Sequence, residues 1–262
     1  MMHSSKLLAS LLLAAASTAG WAAQPLITDD TGTQGLGGNQ IEFAFNKDRA
    51  EQAGITDTTR MLPLTYTRGL SEALDAFVGI NHAKLSANLP GAAASGTGNP
   101  SLGLKWRFYE NEVSKTSFAL KPEIRLPINE GKEAAGLGSG RTSYALTAIL
   151  TQEAAFGAVH ANLATERARY RDTTTNPDAT LFRVSIAPVW DIDEHWKLVL
   201  DVGSETERAG GSKTRAEYFE IGTTYSPNKD LDFALGIIRR TDHTSPGTTT
   251  NAITAGITWR FK

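Results

Sequence analysis

Residues 251–261, NAITAGITWRF, decide the fold. Ile253, Ala255, Ile257, Trp259 and Phe261 alternate with Thr254, Gly256, Thr258 and Arg260. A period of two sets one group on each face of a strand, apolar on one side and polar on the other. Only Lys262 follows Phe261. An amphipathic strand closed by a terminal aromatic, in a chain that opens like a secreted one, predicts an outer-membrane β-barrel.

Working outward, the same pattern recurs. Ile41, Phe43 and Phe45 form one apolar face; Leu62, Leu64 and Tyr66 another; Leu74, Ala76, Val78 and Ile80 a third. It continues through Leu102–Phe108, Phe118–Leu126, Tyr144–Leu150, Val159–Leu163, Phe182–Ile186, Leu198–Val202, Phe219–Tyr225 and Leu231–Ile237. With the last strand this predicts about twelve, an even number as bacterial barrels require. The connections are read as alternating. Short ones fall at 69–73, 110–115, 152–155, 191–195 and 226–230, long ones at 47–59, 86–98, 127–141, 171–179, 206–213 and 241–250. That alternation marks an up-and-down barrel, and a Greek-key sandwich would break it. Pro63, Pro122 and Pro188 lie inside strand patterns, where each must lose a ladder bond or mark a bulge.

Aromatic placement fits. Tyr66, Trp106, Phe108, Trp190, Trp196, Tyr225, Trp259 and Phe261 sit at strand ends near short turns or the C-terminus, as a periplasmic girdle would. Tyr144, Tyr170, Tyr218 and Phe219 lie near long loops and are assigned to an outer girdle. The other faces carry Lys105, Arg107, Lys121, Glu123, Arg125, His160, Glu166, Arg183, Asp201, Glu205, Glu220, Arg240 and Arg260. These are the expected lining of a wet lumen. Both signs are present, so pairing across strands is expected, with Lys105 and Arg107 beside Glu123.

Met1 to Ala22 reads as a signal peptide: a weakly basic start, an apolar core over 7–16, and small residues at Gly20 and Ala22. The domain plan is therefore a leader over 1–22, a periplasmic segment over 23–38 and a barrel over 39–262. No later stretch suits a spanning helix. The mean hydropathy of −0.25 is compatible with barrel strands, which bury alternate residues in lipid. The 262-residue chain has no cysteine, which excludes disulfides and thiolate metal sites. A net charge of −2 argues against nucleic acid as a partner.

The stretch QPLITDDTGTQGLGGNQIEF (24–43) resembles the start of the MetA-pathway of phenol degradation family. The resemblance continues in GNPSLGLKWRF (98–108), LKPEIRLPINEGKEAAGLGSGRTSYAL (120–146), APVWDIDEHWKLVLDVGSE (187–205) and YSPNKDLDFALGIIRR (225–240). One departure is Ile128-Asn129, where a Thr-Gly pair is expected. The resemblance implies a transporter-like outer-membrane barrel, and it brings no agreed functional residues. Within Thr28–Gly32, Asp29 and Asp30 have two readings: a plug or partner contact, or simple turn chemistry. Turn chemistry is preferred.

Other chemistry is weakly supported. His243-Thr244-Ser245 lacks an orienting third group for a lipid-cleaving site. His82, His160, His195 and His243 have no metal spacing. The glycines of 136–140 lack the Lys-Ser/Thr of a phosphate loop. No cofactor, metal or catalytic residue is expected. The expectation is an all-β, up-and-down transmembrane barrel in the outer membrane of a Gram-negative bacterium. It would pass small organic solutes, aromatic or hydrophobic ones by resemblance. Its partners would be outer-membrane lipid and, through the C-terminal strand, the barrel-assembly machinery. A closed structural or adhesive barrel is the alternative, and a lipid-modifying enzyme a more distant one.

Overall fold

The computed structural model describes residues 24–89 and 92–262. The leader and its cleavage point after Ala22 lie outside the described residues. The strands are β1 (Asn39–Gln52), β2 (Ile55–Ser71), β3 (Leu74–Ala87), β4 (Ala93–Thr97), β5 (Ser101–Asn111), β6 (Thr116–Arg125), β7 (Ser143–Ala154), β8 (Gly157–Ala168), β9 (Ala179–Asp191), β10 (Trp196–Ala209), β11 (Ser212–Asn228), β12 (Leu231–Asp242) and β13 (Thr249–Phe261). A short helix, α1 (Glu130–Ala134), interrupts the connection from β6 to β7.

Neighbouring strands pair antiparallel in chain order, and β1 pairs with both β2 and β13. The sheet therefore closes on itself. The decisive C-terminal strand is the closing partner, with Asn39 opposite Phe261 and Ile41 opposite Trp259. β4 and β5 share one stave. β4 pairs with the later half of β3 and β5 with its earlier half, so the thirteen described strands make a twelve-stave barrel.

Alternation places the apolar sets outside. Phe43, Leu64, Val78, Leu104, Leu146, Val184, Ile221, Leu235 and Ile257 are all exposed, while intervening residues are buried. A soluble protein does not expose this much contiguous apolar surface; a lipid-facing wall does. The aromatics Trp106, Trp196 and Trp259 lie on the same outer face. Trp259 stacks on Phe261 at 4.6 Å, and Trp196 meets Tyr225 at 4.7 Å in a tilted contact. Tyr170 and Tyr218 do not join an outer girdle. Both are buried, Tyr218 because its parity along β11 points it inward and Tyr170 because the connection 169–178 folds it under, whereas Tyr144 and Phe219 are exposed.

The expected long connections at 47–59 and 206–213 are instead strand. Only Ala53-Gly54 and Gly210-Gly211 separate the paired strands, all four with positive φ. Two-residue turns of that kind match the twist of a hairpin, so charged residues beside them stay in the ladder. Long connections survive at 126–142, 169–178 and 243–248, on what we call the upper rim. The turns at 72–73, 112–115, 155–156, 192–195 and 229–230 and both barrel ends lie on the lower rim, while the two glycine-bearing hairpin turns join the long connections on the upper one.

Each internal proline leaves a gap without a bulge. Pairing between β1 and β2 lapses between Phe43/Leu64 and Asn46/Met61, around Pro63, and resumes in the same register. Lapses occur likewise beside Pro122, between β5 and β6, and beside Pro188, between β9 and β10. Each proline still pairs with its other neighbour, so closure tolerates the missing donor.

Candidate functional site in the lumen

The inner wall carries the polar sets. Lys121, Glu123, Arg183, Asp201, Glu205 and Glu220 are buried inside the barrel. Their partners differ from those expected. Lys105 and Arg107 do not meet Glu123. Glu123 accepts from Arg125 Nε at 2.7 Å, and Arg125 also bonds Glu166. Arg107 sits near the lower rim, bonding the Glu72 carbonyl at 3.0 Å and lying 3.3 Å from Glu110. Glu205 is held by two arginines, Arg183 Nε at 2.7 Å and Arg240 Nε at 3.0 Å. Arg260 pairs with Asp232 at 2.7 Å. His160 Nδ1 lies 2.9 Å from Thr151 Oγ1, on the wall.

Lys105 finds its partner in a segment the sequence places elsewhere. Residues 24–34 do not stand apart from the barrel. They rise into the lumen as a strap and return to the lower rim. Gln24 and Pro25 pack against Gly256, Gly222 and Gly236. Leu26 joins Ala187, Val189 and Val199 in a small apolar cluster. The Ile27 and Thr28 N–H groups donate to Asp201 at 3.0 and 2.6 Å, and Thr28 Oγ1 bonds both Asp201 (2.8 Å) and Ser185 (2.7 Å). Asp29 then receives Lys105 Nζ at 2.9 Å and Lys121 Nζ at 2.6 Å, one lysine on each oxygen.

Descending, Thr31 bonds Ser117 and Thr151, and the Gln34 N–H reaches both oxygens of Asp75 at 3.1 Å. The strap leaves where a Cβ on Gly69 would lie 1.7 Å from the Gly35 carbonyl, a crossing only glycine permits. The two readings of Thr28–Gly32 therefore divide between neighbours. Asp29 is an anchor across the lumen, while Asp30 does turn chemistry, accepting from the Gly32 N–H at 2.5 Å. Burial raises the Asp29 carboxyl, but the two ammonium groups outweigh it and hold the group below the usual aspartate value.

At the upper rim the connection 126–142 folds inward. Ile128 and Leu137 pack on Met61, Ala83 and Leu85 of the inner wall. Asn129 caps α1 through the Lys132 N–H at 2.9 Å. The Ile128-Asn129 departure thus supplies an apolar anchor and a cap. Between strap and loop lie small cavities. One, bounded by Asp29, Lys121, Asn162 and Arg183, is about 40 Å³; one beside Asn99 and Tyr170 is about 50 Å³; one beside Glu205 and Arg240 is about 110 Å³. One water needs roughly 10–15 Å³. Each is large enough for a few waters and too small for an organic solute.

Elsewhere the geometry offers little chemistry. His243 Nε2 lies 3.6 Å from Glu217, in a loop where Ser245 precedes Pro246. Among the described residues no cluster of three His, Cys, Asp or Glu could hold a metal ion.

The model of the family described as putative MetA-pathway of phenol degradation matches residues 23–261. No curated protein matches the chain by sequence. Among solved structures, the chain is similar to the COG4313 outer membrane channel from Pseudomonas putida F1, with TM-score 0.68 and 11% identity over 88% of this chain and 98% of that one. It is also similar to the transport unit of the autotransporter AIDA-I from Escherichia coli, with TM-score 0.55 and 11% identity over 97% of each chain. The β domain of the Bordetella autotransporter BrkA follows, with TM-score 0.52 and 13% identity over 86% of this chain and 100% of that one. At such identities the likeness is one of fold: an outer-membrane β-barrel.

Proposed function

We infer that this chain, which belongs to the putative MetA-pathway of phenol degradation family, is an outer-membrane channel for passive passage of small organic solutes, here in its closed conformer. On this reading the lower rim is periplasmic and the upper rim extracellular, as short turns and long loops imply. The leader over 1–22 is removed, and lipid surrounds the apolar wall.

The observation that carries the reading is how the lumen is closed. Small barrels fill their interiors with packed wall side chains, and a structural barrel of intermediate size would close its lumen in the same way. Here the lower half is filled by residues 24–34, joined to the wall mainly by hydrogen bonds and three ion pairs. Polar contacts of that kind exchange with water at small net cost. They suit a plug that comes and goes. The wall behind it carries charges of both signs, so weak ion selectivity is expected in the open state.

The same closure favours the second reading, a sealed structural barrel. Planar-bilayer conductance separates the two. The mature chain should show infrequent steps, and a chain lacking residues 24–34 should show frequent, larger ones. If the shortened chain folds and stays silent, the channel reading fails and the structural one stands.

A further inference from the structure

We propose that Lys47, Arg60 and Lys84 form a site on the outer wall for the phosphorylated headgroup of an outer-leaflet lipid. The inference rests on the reading above that places the barrel in the outer membrane with its upper rim extracellular.

Strand register builds the site. Lys47 of β1 stands directly opposite Arg60 of β2, and Arg60 stands directly opposite Lys84 of β3. All three are exposed and share the outward parity of Phe43, Leu64 and Ile80. Neighbouring strands lie about 4.8 Å apart, so the three backbones fall within roughly 10 Å. Like charges directly opposite one another destabilise a sheet. Three in a row carry that cost twice unless an anion lies among them.

The chain does not supply the anion. Among the described residues no acid pairs with Lys47, Arg60 or Lys84. On the outer faces of β1, β2, β3 and β13 the one acid is Glu51, and Arg49 holds it at 2.9 Å. Asp48 and Asp57 have the opposite parity and turn towards the lumen. Arg239 of β12 adds a further exposed cation to this face, opposite the Asn251 that pairs with Arg49.

Height selects a lipid headgroup as the occupant. Two residues towards the lower rim stand Phe45, Leu62 and His82, and two further Phe43, Leu64 and Ile80, all exposed. The apolar wall therefore ends at the cationic row. An acidic protein surface would have to enter the headgroup layer to reach it, whereas a lipid with its acyl chains against that wall already holds its phosphate there. The guanidinium fork and the two ammonium groups give phosphate oxygens charge-assisted bonds. Ser95, opposite Lys84, lies 3.1 Å from the His82 ring and sets a hydroxyl at one end of the row.

The test uses the refolded mature protein in a nonionic detergent, probed by native mass spectrometry with bisphosphorylated lipid A and with the same lipid stripped of its phosphates. The wild type should retain the first and not the second. Lys47→Gln/Arg60→Gln/Lys84→Gln should bind lipid A on the order of a hundredfold more weakly, about fivefold for each cation. Lys115→Gln/Lys197→Gln/Lys229→Gln, an equal charge loss near the lower-rim turns, should bind it as the wild type does. Thermal unfolding gives a second readout. Without lipid the row variant should be at least as stable as the wild type, because repulsion is relieved, and with lipid A the order should reverse. Equal losses in the two triple variants, equal retention of both lipids, or an unreversed order overturns the proposal. The orientation is read separately. The chain has no cysteine, so Ser212→Cys, beside an upper-rim turn, should react with a membrane-impermeant thiol reagent on intact cells. Reaction only after permeabilisation would overturn the extracellular reading, and the outer-leaflet assignment with it, whatever the detergent experiment shows.

Discussion

Asp201 and Glu220 face each other across β10 and β11, both fully buried, yet only one is satisfied. Asp201 accepts from the Ile27 and Thr28 N–H groups, the Thr28 hydroxyl and the Tyr218 hydroxyl at 3.1 Å. Among the described residues neither Glu220 oxygen has a hydrogen bond of ordinary geometry, and the nearby Ile27 N–H is engaged by Asp201. Glu220→Gln keeps the shape, leaves no charge to be buried beside Asp201 and offers Asp201 an amide N–H donor across the strand pair. An unsatisfied buried polar group costs about 1–3 kcal/mol, so this variant should resist urea unfolding better than the wild type by about 1 kcal/mol. A clear loss of stability would show that Glu220 has a partner in solution.

Tyr218 holds its place through a missing side chain opposite. A Cβ on Gly203 would lie 2.3 Å from the Tyr218 ring, which covers that glycine across the strand pair. Gly203→Val should push the ring aside and break its bond to Asp201. Tyr218→Phe removes the bond alone, about 1 kcal/mol. Both should loosen the strap, Gly203→Val more, read as faster labelling of a Thr31→Cys site by a thiol reagent. Equal protection in all three chains would separate Tyr218 from the strap.

Thr28 is the strap's other firm anchor. Its hydroxyl bonds Asp201 and Ser185 inside the barrel. Thr28→Val preserves volume and deletes both bonds while leaving Asp201 with other donors. At about 1 kcal/mol each, the closed state should lose roughly 2 kcal/mol, raising open probability some tens-fold in a bilayer. An unchanged closed fraction would mean that Asp29 alone latches the strap.

How much of this was legible before the structure? The barrel was, because alternation is local: Ile253 to Phe261 declares its faces without reference to any partner. Lys121, Glu123, Arg183 and Glu205 were placed as inward residues by the same rule. Their partners were not. Lys105 meets Asp29 rather than Glu123 because the strap enters between them, and no period in residues 24–34 announces a path through a lumen. The TDDTG stretch carried the one available signal, polar residues dense enough to suggest either turn or plug. Hairpin lengths failed for a different reason. Charged residues such as Arg49 and Glu51 read as loop, yet they pair side by side at 2.9 Å on a strand projecting past the membrane. Tyr218 lies close to a loop in sequence, yet its parity along β11 turns it inward, and parity prevails.

The last prediction concerns pH. Asp29 titrates below the ordinary aspartate value of 3.8 while it holds Lys105 and Lys121, and returns to that value once the strap is free. A depressed carboxylate contributes stability that is fully present above the free value and lost as pH falls through the bound one. The closed state should therefore be insensitive to Asp29 across roughly pH 5 to 8 and should weaken only below 3.8. Single-channel recording across that range should show a flat, low open probability that climbs at the acid end. Asp29→Asn, which has no charge to lose, should be open and flat throughout. An acid rise of equal size in Asp29→Asn would assign the response to the wall carboxylates Glu123, Glu166 and Glu205 rather than to the strap.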